Sequence, residues 1–196
     1  PFNDSEYLIL MSFFASQGRT RDAALLALGC GTGFRIQELL AVTVGHVWQR
    51  ENVAQEITLA RRDLKGGQGA YRKTVRSRRV PLGDSVRNAL AAHLTTIGTD
   101  DPTRSLFATS RSGKAGMDRS QAFRTIVAAC VACGIDASRI STHSMRKTFA
   151  RRVYDASKHD LIRTQRAIGH SSPLTTSRYL ETDSDELDRL ILNVAA

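Results

Sequence analysis

The chain has 196 residues, with 28 Lys or Arg against 19 Asp or Glu and a formal net charge of +9. This length favours one compact domain over two full domains, and the excess of positive charge favours a polyanionic partner, with nucleic acid first. No apolar run approaches the ~20 residues needed to cross a bilayer and no signal-peptide pattern opens the chain, so we expect a soluble, intracellular protein without a membrane partner.

The first part of the chain predicts helices separated by glycines. Residues 4–15 and 20–28 carry helix-compatible apolar patterns, and each predicted helix is expected to end at the glycine that follows it. Residues 31–33 predict a flexible turn, after which residues 35–40 resume a short helix. Arg35 is therefore expected at a helix start, beside a turn.

The middle of the chain predicts a small antiparallel sheet. Between residues 47 and 61 apolar side chains alternate as they do in strands, with a turn at residues 50–52, so we expect two strands there. Residues 73–80 predict a third strand, which Pro81 ends.

The remainder predicts mostly helices. They are expected over residues 84–97, 120–133, from 142 or 143 onward, over 160–168, and from Pro173 through Tyr179. The predicted fold class is therefore mainly α with a small antiparallel β-sheet, an α+β fold, in one domain over residues 1–182.

The last residues form a separate amphipathic segment. Residues 184–194 place Leu187, Leu190, Ile191 and Val194 on one helical face, so residues 183–196 are expected to form a helix that docks. Packing on its own domain and docking in trans into a groove of a neighbouring molecule remain equally open.

The cysteines are expected to be free thiols. Cys30, Cys130 and Cys133 are too few and too irregularly spaced for a disulfide framework, which fits a reducing compartment. Cys130 and Cys133 have CxxC spacing, but they lie in an apolar helical stretch without a second pair of zinc ligands, so we expect core packing and no metal.

Two arginines are candidates for holding a phosphodiester. Charge on the phosphate oxygens grows and redistributes as a nucleophile adds, so two fixed guanidinium groups can favour the transition state. Arg35 and Arg146 both lie at or near predicted helix starts, where free backbone N–H groups also favour an anion. The alternative is that each is a surface arginine or one that contacts the DNA backbone.

Tyr179, His143, His170 and Lys73 are candidates for the chemistry around that phosphate. A protonated phenol is a weak nucleophile, so Tyr179 would need neighbouring positive charge or a proton acceptor, which the two histidines could supply. The departing 5′ oxygen needs a proton, which Lys73 could donate. A structural role for the tyrosine and histidines, and simple phosphate contact for the lysine, are the alternatives.

Four motifs follow one another along the chain. They are GFRIQEL at residues 33–39, Lys73 before RVPL at residues 79–82, HSMR at residues 143–146, and Gly169-His170 ahead of Tyr179. In order and spacing they resemble the tyrosine recombinase, or phage integrase, family from about Asp4 to the final helix. The resemblance implies the tyrosine recombinase catalytic-domain fold.

The resemblance also implies roles for residues that match the motifs. Arg35 and Arg146 would bind the scissile phosphate, Lys73 would be the general acid, and His143 and His170 would assist proton transfer and phosphate binding. Tyr179 would become joined to a 3′ phosphate, so that strands are cut and rejoined without metal, ATP or another cofactor. Glu38 would brace the helix near Arg35.

Two departures from the family pattern affect these expectations. Twelve residues, 61–72, precede Lys73, so Lys65 competes for the role of general acid. Full-length members usually carry an amino-terminal helical domain that closes around DNA, and that core-binding domain is absent from this sequence. We therefore expect an isolated catalytic domain.

The predicted function is that of a site-specific DNA recombinase, or integrase, of a mobile genetic element. The alternatives are a DNA-binding regulator that does not cleave and a strand-relaxing enzyme like type IB topoisomerases. Double-stranded DNA is the expected partner, with other protomers in a tetramer on synapsed DNA and possible accessory DNA-bending proteins. The expected location is the cytoplasm, with the nucleoid, in a prokaryotic or phage context.

Overall fold

The computed structural model describes residues 1–61, 64, 77–109, 115–180 and 192, in two compact units, Pro1–Phe149 and Ala150–Ala196. The elements of the described residues are α1 (Asp4–Ser16), α2 (Thr20–Thr32), α3 (Ile36–Leu40), α4 (Val44–Val47), β1 (Trp48–Gln49), β2 (Asn52–Val53), β3 (Glu56–Leu59), β4 (Arg78–Pro81), α5 (Asp84–Ile97), α6 (Arg119–Ala132), α7 (Ser144–Ala156), α8 (Leu161–Ile168) and α9 (Pro173–Tyr179). The predicted fold class, mainly helical with small antiparallel sheets, is confirmed.

Helix α2 is the centre of the first unit. It packs against α1, α5 and α6, and nearly all of its residues are buried. The prediction that this helix ends at Gly29 is wrong, because α2 continues to Thr32 and ends at Gly33. The glycines inside it allow close packing: a Cβ at Gly29 would lie 2.6 Å from Met145 Sδ. A single sequence carries no local signal for a contact of that kind.

The strands form two small sheets instead of the single sheet that was expected. Antiparallel β1 and β2 are joined by a turn at Arg50 and Glu51, both with positive φ, which matches the tight turn of a hairpin. The other sheet pairs β3 with β4 antiparallel, and Leu59 lies opposite Arg78. The stretch from 47 to 61 therefore contains three short strands, where two were predicted, and the four-residue helix α4 was not predicted.

Capping residues mark the end of α5 and the start of α6. Helix α5 ends at Gly98, which has positive φ, and α6 begins after Asp118, whose side chain accepts from the backbone N–H of Gln121 at 2.7 Å.

Cys30 and Cys130 are buried, and burial raises the pKa of the Cys130 thiol to about 11. The expectation of core thiols is confirmed for these two, while Cys133 is only half-buried.

The second unit contains the end of α7 and helices α8 and α9. Asp160 caps α8 by accepting from the backbone N–H of Arg163 at 2.9 Å, and α8 packs against α9. Pro173 occupies the first turn of α9, as predicted. Apart from Leu192, which is helical and exposed, the predicted carboxyl-terminal helix lies outside the described residues, as does the first part of the predicted third strand. Among those that are described, no helix is both long and apolar enough to span a bilayer.

Candidate functional site

The loop after α2 presents the first arginine of the candidate phosphate site. Arg35 is the N-cap of α3; its backbone N–H donates to Glu38 Oε2 at 2.8 Å, and its Nη1 donates to Glu38 Oε1 at 3.0 Å. The Glu38 carboxylate is buried, while the Arg35 side chain remains about one-third exposed. Glu38 therefore fixes both the backbone and the side chain of Arg35 and leaves part of the guanidinium accessible to a ligand.

Arg146 approaches the same loop from α7. Its side chain is among the largest that are fully buried, and its Nη1 donates to the backbone carbonyl of Gly33. Helix α7 can come this close because Gly29, packed against Met145, has no side chain. Gly33 itself has φ +61° and ends α2, and a Cβ there would lie 2.8 Å from Phe149 Cγ. Both glycines thus serve the placement of Arg146.

A third arginine, which sequence reasoning missed, meets the other two at this loop. Arg78 on β4 donates from Nη2 to the Thr32 carbonyl at 2.6 Å and from Nη1 to the Gly33 carbonyl at 3.3 Å. Its guanidinium carbon lies 4.8 Å from the centroid of the Phe34 ring, a cation–π distance. These carbonyls end α2, where the helix dipole favours a cation.

His143 stands immediately before α7, among cations. Burial lowers its pKa below 6.5, and the charges of Arg119, Arg146 and Arg35 lower it further. The imidazole is therefore neutral at pH 7 and has one ring nitrogen able to accept a hydrogen bond or a proton. Arg119, the first residue of α6, also donates to the Thr142 hydroxyl at 3.4 Å.

Among the described residues, three guanidinium groups, those of Arg35, Arg78 and Arg146, meet at this loop with one carboxylate, that of Glu38. Burial, together with the neighbouring Arg146 and Arg35, lowers the pKa of Arg78 to about 10, while Glu38 acts in the opposite direction. With this pKa the Arg78 guanidinium remains charged at pH 7. Crowded like charges raise the free energy of the site, and a bound phosphate would offset that repulsion.

The second unit brings His170 and Tyr179 together. Their rings meet edge to face with centroids 4.8 Å apart and an interplanar angle of 74°. His170 Nδ1 lies 3.1 Å from the Thr176 hydroxyl, and its backbone carbonyl accepts from Gln165 Nε2 at 3.0 Å. His170 is buried and Tyr179 is half-buried, so the phenol is held on a fixed imidazole with part of its surface accessible.

The predicted site residues that are described thus form two groups, one in each unit. Arg35, His143 and Arg146 gather in the first unit, and His170 and Tyr179 gather in the second. Lys73 and its competitor Lys65 lie outside the described residues. Within residues 1–61, 64, 77–109, 115–180 and 192, no group of three or more His, Cys, Asp or Glu side chains is arranged to hold a metal ion.

Sequence reasoning missed Arg78 and Arg119 for different reasons. Strand alternation could have found Arg78, because it lies two residues before the apolar Val80 and therefore shares its face. Arg119 shows no such signal, since only the tertiary fold brings it near Thr142 and His143.

Comparison with known proteins identifies the family. The model of the phage integrase family matches residues 2–186, which is nearly the whole chain. The chain belongs to this family. The predicted family is thereby confirmed.

The relatives of this chain are named as recombinases. "Probable integrase/recombinase YoeC" of Bacillus subtilis (strain 168) is 28% identical over 171 residues, which cover 84% of this chain and 80% of YoeC. Tyrosine recombinase XerC of Neisseria meningitidis serogroup B is 31% identical over 170 residues, which cover 87% of this chain and 50% of XerC. The chain therefore spans about half the length of the Xer proteins it matches.

Solved structures of recombinases share the fold of this chain. The crystal structure of XerA recombinase superposes with a TM-score of 0.73 at 22% identity, covering 100% of this chain and 63% of XerA. XerH bound to palindromic difH substrate in a post-cleavage complex gives a TM-score of 0.70 at 21% identity, covering 97% of this chain and 51% of XerH. The predicted catalytic-domain fold is confirmed, and the relatives' names support the predicted enzyme class.

Proposed function

We propose that this phage integrase family member is the catalytic domain of a site-specific DNA recombinase that cleaves and rejoins strands through a 3′-phosphotyrosine, without metal or ATP. The observation that carries the proposal is the gathering of Arg35, Arg146 and His143 around the loop after α2, where Arg78 adds a third guanidinium group. We also propose residues 1–182 as the catalytic domain and residues 183–196 as a helix that docks.

The arginines would hold the scissile phosphate. Arg35, braced by Glu38 and partly exposed, and Arg146, fixed on the Gly33 carbonyl, can each donate to a non-bridging oxygen. Negative charge on these oxygens increases as the nucleophile adds, so their attraction to the fixed cations is strongest in the transition state. Because both side chains are already oriented, little reorganisation is needed when the reaction occurs.

Tyr179 would be the nucleophile. Its phenolic oxygen forms a bond to phosphorus, the bond from phosphorus to the 5′ oxygen breaks, and the phenolic proton passes to an acceptor. Neutral His143 suits that acceptor role, and His170, in edge contact with the Tyr179 ring, orients the phenol. The phosphotyrosine keeps the energy of the broken ester, so a 5′ hydroxyl of another strand can reverse the step.

Lys73 would protonate the leaving 5′ oxygen, with Lys65 as its competitor. A substrate whose bridging 5′ oxygen is replaced by sulfur separates the two, because a thiolate leaves without a proton donor. We expect Lys73→Ala to slow cleavage of the ordinary ester and to recover on the sulfur substrate. If Lys65→Ala shows that pattern and Lys73→Ala does not, the role belongs to Lys65.

The partners would be double-stranded DNA and other protomers. The net charge of +9 and the cationic loop support DNA binding, and several similar structures are complexes with DNA. Reciprocal strand exchange requires several active sites on synapsed DNA, so we propose a tetramer, assisted by accessory DNA-bending proteins where the DNA must bend. The cytoplasm, in association with the nucleoid, is the proposed location.

A nicked suicide oligonucleotide tests the proposal. The DNA site would first be selected with the protein, and the oligonucleotide would carry a nick so that the released fragment diffuses away and the adduct accumulates. We expect a covalent adduct with the unchanged protein and with Tyr154→Phe, the control at a tyrosine of the second unit whose ring packs at a tilt against His159. Tyr179→Phe should bind the DNA and form no adduct. Binding by the unchanged protein without any adduct would instead support the regulator.

A further inference from the structure

Arg78 lies on the inward face of strand β4. Side chains of a strand alternate, so Arg78 and the buried Val80 face one way, while Arg79 between them faces the other. Arg79 is exposed and pairs with Glu56 on the neighbouring strand. The two adjacent arginines can therefore be compared directly: Arg78 is directed at the loop after α2, residues 33–35, which we call the phosphate loop, and Arg79 is directed away from it.

Arg78 shares a hydrogen-bond acceptor with Arg146. The Gly33 carbonyl accepts from Nη1 of each guanidinium group, and Arg78 also reaches the Thr32 carbonyl. One carbonyl that is held by two planar cations has little freedom to rotate. The direction of that carbonyl in turn fixes the Arg146 guanidinium, which the mechanism places against phosphate.

The electrostatics argue against a purely structural role. Arg78 is placed close enough to Arg146 and Arg35 for their charges, after burial, to lower its pKa to about 10. An apolar side chain could cover Phe34 without this repulsion. Keeping a third cation here is favourable when an anion is bound, because the added positive potential then acts on the phosphate.

The hydrogen bonds of Arg78 also join two parts of the site that are far apart in the sequence. Strand β4 follows the segment that contains Lys65 and Lys73, and the Thr32 and Gly33 carbonyls lead directly to Arg35. Arg78 therefore connects the strand after the candidate general acid with the loop that carries the phosphate-binding arginine.

We propose that Arg78 is a positioning residue of the phosphate site, which holds the Gly33 carbonyl jointly with Arg146 and so orients the guanidinium groups toward the scissile phosphate. This inference rests on the proposed function, since it assumes that a phosphodiester is cleaved there. Arg78 acts through Arg146 and the loop, and it need not touch the DNA.

The experiment compares Arg78→Met and Arg78→Lys with the control Arg79→Met. Single-turnover cleavage would be measured at saturating DNA on a cognate suicide substrate, and on the same substrate with a neutral methylphosphonate at the scissile position. We expect Arg78→Met to cleave the phosphodiester about 10–100-fold more slowly, which is less than the ~100–1,000-fold loss for a donor that itself contacts the transition state, with DNA affinity nearly unchanged. Arg78→Lys should show a smaller loss, because an ammonium cannot bridge both carbonyls as a planar fork does.

The neutral substrate separates positioning from a general loss of structure. A methylphosphonate has less negative charge for the guanidinium groups to stabilise, so the loss from Arg78→Met should shrink on it, while Arg79→Met should resemble the unchanged protein on both substrates. Equal losses on both substrates, or no loss, would overturn the inference. If Arg78→Met does not fold, the same comparison with Arg78→Lys decides, and failure of both variants to fold would also overturn it.

The outcomes distinguish this inference from the proposed function. If the unchanged protein forms no adduct on its cognate site, the recombinase proposal fails. If it forms the adduct and the Arg78 variants cleave both substrates as fast as it does, only the positioning role fails.

Discussion

Replacing Gly33 by alanine tests how the phosphate loop is built. Gly33 has φ +61°, a conformation that costs an L-residue about 1–2 kcal/mol. A Cβ there would also lie 2.8 Å from Phe149 Cγ and 3.0 Å from Cε1, so the ring must move. Such overpacking typically costs about 1–3 kcal/mol. We therefore expect Gly33→Ala to lower the free energy of unfolding by about 2–5 kcal/mol in all.

Gly18 is the matched control for this substitution. Its φ is +62°, nearly that of Gly33, but a Cβ at Gly18 would meet nothing within 4 Å. Gly18→Ala should therefore lower the free energy of unfolding by only about 1–2 kcal/mol, the cost of the left-handed conformation. The difference between the two variants isolates the collision with Phe149.

Urea unfolding followed by circular dichroism measures both variants, and suicide-substrate cleavage measures function. Displacement of the Gly33 carbonyl should misalign Arg146 and Arg78, and a shift of ~1 Å at such a site reduces rate by about 100-fold. Gly18→Ala should cleave as fast as the unchanged protein. Equal destabilisation by the two substitutions, or full cleavage activity in folded Gly33→Ala, would refute this account of the loop.

Three further predictions follow from the charges. Burial lowers the pKa of His93 below 6.5, so the unfolded chain takes up the proton first as the pH falls. The free energy of unfolding should therefore fall as the pH drops through 6.5, by at most about 1.4 kcal/mol per pH unit. His93→Gln should show a shallower dependence on pH in urea titrations, and an unchanged dependence would contradict this. Arg119→Gln should raise the pKa of His143, because it removes a cation that lowers it; NMR titration of the imidazole measures this, and no rise would mean that Arg119 does not act on it. The logarithm of the DNA association constant, measured by fluorescence anisotropy, should fall linearly with the logarithm of salt concentration, and a flat response would argue against phosphate contacts.

Much of the scaffold could be predicted because caps and periodicity are local. Arg35 was correctly expected at a helix start, since a glycine turn precedes it and apolar spacing follows it. Pro173 was likewise predicted at the first turn of α9. The prediction that α2 ends at Gly29 is wrong because a glycine that ends a helix and a glycine that allows a neighbouring helix to approach look alike in sequence. The contact that distinguishes them, with Met145, is far away along the chain.

The chemistry of the site was only partly accessible from sequence. Motif spacing selected Arg35, His143 and Arg146, but it could not reveal that the Gly33 carbonyl holds two guanidinium groups. Nor could it predict a lowered pKa for His143, because that shift arises from burial and from cations on other elements of the fold. Electrostatic coupling of this kind depends on tertiary distances, which a single sequence does not contain.

Identification of the residue that joins DNA is the most direct test of the central claim. The adduct formed on a nicked cognate site would be digested with protease and nuclease, and the nucleotide-bearing peptide would be sequenced by mass spectrometry. The account predicts a 3′-phosphate ester on the Tyr179 oxygen and a free 5′ hydroxyl on the released strand. A modified residue other than Tyr179, or a 5′-phosphate linkage to the protein, would contradict it.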